Sequence, residues 1–267
     1  MSFTFRPLTE EDLEAGLALS EGAGWNQLRR DWRVFLERNP EGSVAAEREG
    51  QVVGTAATLD YGPFAWISMV LVDPAQRGQG LGTALLERTI EILKESPCAR
   101  LDATPLGEPV YRKLGFVDEY PLERWERAAG LAPAVAGVAA LSSVEEVAAL
   151  DAAVFGADRR WLLDWLLAGA RHLAWRCGDG FLLGREGRRF TQLGPLVCAN
   201  DDEAVALIHA GLAASGRGAV IDIPAGKGGV VASLGFVKQR TLLRMRRGAA
   251  APVLDPRLFA IAGPELG

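Results

Sequence analysis

Histidine is scarce in this chain of 267 residues: His172 and His209 are the only two, and neither has a companion at ligand spacing. Most histidine-based metal chemistry is thereby removed, a Ser-His-Asp triad is not expected, and no metal site is predicted. Cysteine is scarce too. Cys98, Cys177 and Cys198 are odd in number, far apart and without CxxC spacing, so neither a disulfide framework nor a zinc site is indicated and all three read as buried apolar residues. No apolar run reaches the roughly 18 residues of a spanning helix, and the opening MSFTFRPLTEEDLE has neither a basic n-region nor an apolar h-region. A cytoplasmic protein without a membrane partner is expected. Excess positive charge is also missing: 29 Lys and Arg against 34 Asp and Glu leave −5, no field to hold a polyanion, so nucleic acid is not an expected partner.

What is present is ordinary globular composition, 49% hydrophobic and 24% charged, with a length that suits two domains of similar size. Residues 128–140, AAGLAPAVAGVAA, carry no charge, no aromatic side chain and no trusted periodicity. They form the best linker candidate, dividing the chain into domains at 1–128 and 129–267. In the first part, residues 3–6 read as a strand, and Thr9 with Asp12 resembles a capping box opening a helix. A second helix is predicted from Asn26. Strands follow over 43–49, 51–59 and 65–72, the last ended by Asp73-Pro74. A helix over 79–95 carries Leu81, Ala84, Leu85, Ile92 and Leu93 on one stripe, and 99–103, 109–114 and 116–126 add strand, short helix and strand. The order is β-α-α-β-β-β-α-β-α-β.

The second part repeats that order, and the match is visible at a fixed offset of 120 residues. Leu101-Asp102-Ala103 answers Ile221-Asp222-Ile223, and Leu114-Gly115-Phe116-Val117 answers Leu234-Gly235-Phe236-Val237. The expected fold is therefore α+β in layers: two tandem copies, each a mixed, mostly antiparallel sheet flanked by helices.

One segment carries the chemistry. After the strand ending Val70-Leu71-Val72 comes Asp73-Pro74-Ala75-Gln76 and then Arg77-Gly78-Gln79-Gly80-Leu81-Gly82-Thr83, a glycine-rich turn entering an amphipathic helix. A helix entrance offers unpaired N–H groups and the positive end of the macrodipole, and glycine lets a pyrophosphate approach the main chain. A Walker loop would need Gly-Lys-Ser/Thr, which is missing, and a Rossmann turn would need a third glycine where Thr83 stands. The run 77–82 instead resembles the R/Q-x-x-G-x-G/A loop of the GNAT family of acetyl-CoA-dependent N-acetyltransferases. Tyr111-Arg112-Lys113-Leu114-Gly115-Phe116 resembles that family's later Tyr-x-x-x-Gly-Phe segment. With Gly24-Trp25-Asn26, Trp66 and a second, degenerate copy, the chain looks like the two-domain, YitH-like branch.

The resemblance implies acetyl-CoA as donor, CoA as product and a small-molecule or peptide amine as acceptor, attacked directly on the thioester. It implies that Val70, Leu71 and Val72 hold the pantetheine arm through the main chain, and that amides of Arg77, Gly78, Gln79, Gly80, Leu81, Gly82 and Thr83 hold the pyrophosphate. Tyr111 would be the proton donor to the departing thiolate. The family's usual Asn after the preceding strand is replaced by Thr104-Pro105. Asp102 and Glu108 lie in the right segment for a general base, although Asp222 at the matching place favours a structural role for Asp102. On the acceptor side the sequence offers Trp25 and Asn26, with Trp32 nearby, and in the second copy Asp151, Asp158 and Arg159. That copy has Cys198-Ala199-Asn200-Asp201-Asp202-Glu203 in place of the loop and Val231 in place of Tyr111, so it is not expected to take CoA. Gly226-Lys227-Gly228-Gly229 reads as a flexible connection. The competing reading is a non-catalytic CoA-binding or interaction module.

Overall fold

The computed structural model describes residues 3–133, 135–249 and 253–267. In chain order the elements are β1 (Thr4–Pro7), α1 (Leu13–Gly22), α2 (Arg29–Arg38), β2 (Val44–Arg48), β3 (Gln51–Asp60), β4 (Ala65–Val72), α3 (Leu81–Ile92), β5 (Cys98–Ala103), α4 (Glu108–Lys113) and β6 (Val117–Arg127). Then follow β7 (Ala139–Ala140), α5 (Ala148–Phe155), α6 (Arg160–Gly169), β8 (Trp175–Cys177), β9 (Gly180–Arg185), β10 (Thr191–Val197), α7 (Asp201–Ser215), β11 (Ala219–Pro224), α8 (Gly228–Ser233), β12 (Val237–Gly248) and β13 (Leu258–Ala260). The repeat β-α-α-β-β-β-α-β-α-β occurs twice, as the sequence predicts, with β13 added at the end. Thr9 opens the first helical turn, its N–H donating to Asp12 Oδ2 at 2.8 Å. The second helix starts three residues later than expected, because the Leu28 N–H donates to Asp31 Oδ2 at 2.7 Å and keeps residues 26–28 outside it.

Two compact units result, and neither is one uninterrupted stretch: Met1–Val117 goes with Met245–Ala251, and Asp118–Arg244 with Pro252–Gly267. In the first unit β1, β2, β3 and β4 pair antiparallel in that order, β5 joins β4 in parallel, and the end of β12 lies next to β5. Val44, Ala46, Val53, Ala56, Leu81 and Leu85 bury one core between this sheet and α3. The second unit is ordered β12-β6-β11-β10-β9-β8-β7, with β10 and β11 parallel and the described pairs β6–β11, β10–β9, β9–β8 and β8–β7 antiparallel. Leu193, Ile221, Ile223, Leu207, Ile208, Val231 and Phe236 are among its buried core.

β6 therefore serves the unit built on the second repeat, and the end of β12 serves the unit built on the first. Each sets an arginine against the glycine that ends a short helix. Arg247 Nε donates to the Leu114 carbonyl at 3.0 Å and lies 3.6 Å from where a Cβ on Gly115 would stand; Arg127, 120 residues earlier, lies 3.4 Å from the same point on Gly235. Both glycines sit at positive φ, 84° and 82°, where the turn from short helix into strand demands glycine.

Two readings of local structure change. Gly228 begins α8, so that segment is helical where a flexible connection is expected; a Cβ there would meet the Trp125 ring at 2.7 Å. Cys98 and Cys198 are buried, whereas Cys177 is only half-buried. Among the described residues no helix is long and apolar enough to cross a membrane.

The entrance of α7 is closed by its own side chains. Asn200 Oδ1 accepts from the Glu203 N–H at 3.0 Å, and the Ala199 N–H donates to Glu203 Oε2 at 2.9 Å. Asn200→Ala is expected to lower stability by about 1 kcal/mol through loss of this cap; urea denaturation with an unchanged slope and a lower midpoint measures it.

Candidate active site

The site is built where β4 leaves its neighbours. On one side β4 pairs with β3 up to Ala57↔Ser68 and resumes at Thr55↔Leu71, so Met69 and Val70 together oppose Ala56 in a bulge. Met69 takes φ 51°, a left-handed conformation that a side chain of this size adopts only when its surroundings enforce it. Thr55 supplies part of that enforcement: its buried hydroxyl donates to the Met69 carbonyl at 2.8 Å. On the other side β4 and β5 pair in parallel only at Ala65↔Ala99 and Trp66↔Arg100. Beyond these residues the strands splay, and main-chain groups of the distal half of β4 face a gap instead of a partner strand.

The loop from β4 to α3 enters the helix through left-handed glycines. Gly78 and Gly80 have φ 77° and 81°, and a Cβ at either would meet nothing within 4 Å, so both face open space. Gly80 at the N-cap explains why α3 begins at Leu81 and not at 79. It provides no side-chain cap, and the first turn holds no carboxylate. The first amides of α3, at Leu81, Gly82 and Thr83, have no hydrogen-bond partner among the described residues. Arg77 is exposed at the mouth, its Nε donating to the Val72 carbonyl at 3.4 Å. Val70 and Val72 pack against the α3 core.

Tyr111 belongs to this same unit. It is 9% exposed, meets Phe116 edge-on with ring centroids 5.9 Å apart, and its hydroxyl has no hydrogen-bond partner among the described residues. Burial pushes that hydroxyl up to about 12, so it stays protonated at neutral pH. Gly107 makes room for the ring: a Cβ there would stand 2.7 Å from Cε2 and 3.3 Å from the hydroxyl oxygen. Glu108 pairs with Arg112, two bonds of 3.0 and 2.9 Å one helical turn apart, and is engaged on the helix surface. Asp102 is half-buried, whereas Asp222 is fully buried and held by Arg124 through bonds of 2.8 and 2.7 Å.

The second unit repeats the irregular strand and the splay but closes them, and its helix entrance differs. Eight residues, 73–80, join β4 to α3, but only three, 198–200, join β10 to α7. Asp201, Asp202 and Glu203 crowd the α7 entrance, which would repel an anion, and Val231 is buried at the place of Tyr111. The splay beyond the parallel pairs of β10 and β11 is filled by the chain itself. β13 pairs with β10 at Leu196↔Ala260, the Cys198 N–H donates to the Arg257 carbonyl at 3.0 Å, and the Ile261 N–H donates to the Asp222 carbonyl at 3.0 Å. Gly194 allows this approach, since a Cβ there would lie 2.0 Å from the Ile261 carbonyl oxygen.

Of the acceptor-side candidates, Trp25 is half-buried and Asn26 buried in the α1–α2 connection, and Trp32 is core, its Nε1 donating to Ser20 Oγ at 3.3 Å. Asp151 and Arg159 depart from expectation. Each is 1% exposed; they pair through bonds of 2.8 and 2.9 Å, and Arg159 also donates to the Gly267 carbonyl at 2.8 Å and lies 3.8 Å over the Phe155 ring. Their polar atoms are engaged with one another and with the Gly267 carbonyl inside the second unit, which they brace. Asp158 is exposed but accepts from the Arg160 N–H at 2.9 Å, a helix-start bond. The sequence reading missed Thr55, Gly107 and β13. Of these only Gly107, a glycine four residues before Tyr111 and against its ring, carries a signal in the sequence.

Two family descriptions match the chain: Acetyltransferase (GNAT) family over residues 8–116 and Acetyltransferase (GNAT) domain over residues 147–260. The uncharacterized N-acetyltransferase YitH of Bacillus subtilis (strain 168) is 27% identical over 274 residues, 97% of each chain. A glucosamine 6-phosphate N-acetyltransferase of Trypanosoma brucei brucei is 37% identical over 76 residues, 25% of this chain and 52% of its own. Among solved structures, a protein of Pyrococcus horikoshii with a provisional acetyltransferase assignment superposes with TM-score 0.87 at 25% identity, covering 99% of this chain and 96% of its own. With a glycine-entered helix and a splayed, bulged strand in one unit, and a closed copy of both in the other, the chain is a tandem member of the GNAT family and an acyltransferase.

Proposed function

We propose that the first unit is an N-acetyltransferase that takes acetyl from acetyl-CoA and passes it to a primary amine, and that the second copy takes no CoA. The chain division at 128/129 then separates a catalytic repeat from a degenerate one. The observation that carries the reading is the contrast between the two helix entrances: the first is long, glycine-rich and open at its amides, the second short and capped by its own acidic side chains.

The amides of Leu81, Gly82 and Thr83, with those of the 77–80 loop and the Arg77 guanidinium, would take the pyrophosphate. Val70, Leu71 and Val72 would pair through their main chain with the pantetheine amides, as a neighbouring strand would. A main-chain N–H at the bulge would meet the oxyanion that forms when the amine adds to the thioester carbonyl, an orientation that the strained Met69 holds before substrate arrives. The C–N bond forms on addition, and the C–S bond breaks as the oxyanion collapses back to the carbonyl. Tyr111 gives its proton to the leaving thiolate and regains one by way of water from the amine nitrogen, so CoA leaves as the thiol.

Calorimetry is expected to give one acetyl-CoA per chain, and thiol release should depend on an added amine, with glucosamine 6-phosphate, polyamines, amino acids and peptide amines as the panel. Two CoA equivalents per chain would overturn the silent second copy, and no CoA binding would overturn the donor assignment.

A further inference from the structure

The mechanism above uses the α3 side of the gap and leaves its opposite face unassigned. Trp66 and Arg100 are register partners in parallel strands, so their side chains share a face; the Arg100 guanidinium lies 6.0 Å from the Trp66 ring centre and 4.9 Å from that of Phe64. The two-residue period of a strand carries this face on to Ser68 in β4 and Asp102 in β5. Ser68 pairs with Ala57, whose neighbour Ala56 belongs to the α3 core, which confirms that Ser68 points away from α3. The gap opens between Ser68 and Asp102, because pairing stops one step earlier.

Ser68 is unusual on two counts. It is 8% exposed, and its Oγ is a buried polar atom with no hydrogen-bond partner among the described residues. A buried hydroxyl left unsatisfied costs free energy, and replacing it by an apolar group of the same shape would remove that cost. It also stands directly before Met69, the residue held at φ 51°, so its side chain is fixed at the rim of the bulge.

We propose that Ser68 is an acceptor-positioning residue: its Oγ accepts a hydrogen bond from the incoming amine and holds the nitrogen lone pair toward the thioester carbon bound along the other side of β4. The inference rests on the acetyl-CoA reading of the first unit and deepens it, naming the face by which the amine enters. It assigns donor and acceptor to opposite sides of one splayed strand, with the bulge between them. A hydroxyl without a partner among the described residues is then satisfied in the ternary complex.

The test is Ser68→Ala in the full-length chain, with Ser68→Thr as the conservative variant, assayed with the best amine found in the panel. Ser68→Ala is expected to raise KM for the amine about tenfold, the scale of one lost hydrogen bond. KM for acetyl-CoA and its calorimetric affinity should not move, and the melting temperature should hold or rise. Ser68→Thr, which keeps the hydroxyl, should recover most of the amine KM. An unchanged amine KM in Ser68→Ala, or a lowered melting temperature showing that the hydroxyl braces the fold, would overturn the proposal. Loss of acetyl-CoA affinity in Ser68→Ala would overturn it too, by placing the hydroxyl on the donor side. If the wild-type chain itself does not bind acetyl-CoA, it is the donor reading that fails, and the two failures are thus distinguishable.

Discussion

Tyr111→Phe is expected to lower turnover about 100-fold, close to 2.7 kcal/mol in the barrier, while acetyl-CoA affinity hardly changes. The substitution removes one oxygen. The ring keeps its place against Phe116 and Gly107, so packing is preserved, and the lost hydroxyl has no protein partner among the described residues to leave unsatisfied. What goes is the proton for the leaving thiolate. Single-turnover kinetics isolate that step from product release, and wild-type rates there would return Tyr111 to a packing role. The pH dependence follows from the same burial. With its hydroxyl pushed up to about 12 from an ordinary value of 10, Tyr111 remains a donor through mildly alkaline pH. Its neutral form is favoured in the folded state, so the associated stability is present below pH 10 and is lost as pH rises toward 12, where the unfolded chain ionises first. Tyr111→Phe should flatten that alkaline loss of stability as well.

Gly80→Asp is expected to weaken acetyl-CoA binding by on the order of 100-fold, close to 2.7 kcal/mol, with the fold retained. The magnitude comes from a carboxylate placed several ångströms from the proposed pyrophosphate position, at about 1 to 3 kcal/mol for each pair of unit charges at a partly exposed site. Gly80 has φ 81°, a conformation that Asp tolerates better than most residues, and a Cβ there meets nothing within 4 Å. Folding is therefore spared while binding is not. Calorimetry on a variant whose thermal unfolding is intact decides the matter: an unchanged affinity removes the helix entrance from the donor site. At the matching entrance of α7, Asn200 stands in the place of Gly80 and Asp201 and Asp202 follow it, so negative charge occupies that helix start.

Much of this was legible in the residues because its causes are local. Strand and helix periods, the Asp73-Pro74 break, the glycine-rich turn and the LGF repeat at an offset of 120 each depend on neighbours within a few positions, so one sequence displays two copies of one α+β fold and shows which copy kept the loop. Asp151 and Arg159 look alike in sequence whether they meet solvent or each other, a carboxylate and a guanidinium around a glycine; their pairing at 1% exposure depends on distant chain. The splay of β4 from β5, the left-handed Met69, the orphan hydroxyl of Ser68 and β13 lying in the gap beside β10 have no local mark. Each arises where strands far apart in sequence meet or fail to meet. Hydrogen-bond register between such strands is set by tertiary packing, and only that packing determined that β6 and the end of β12 would each complete the unit built on the other repeat.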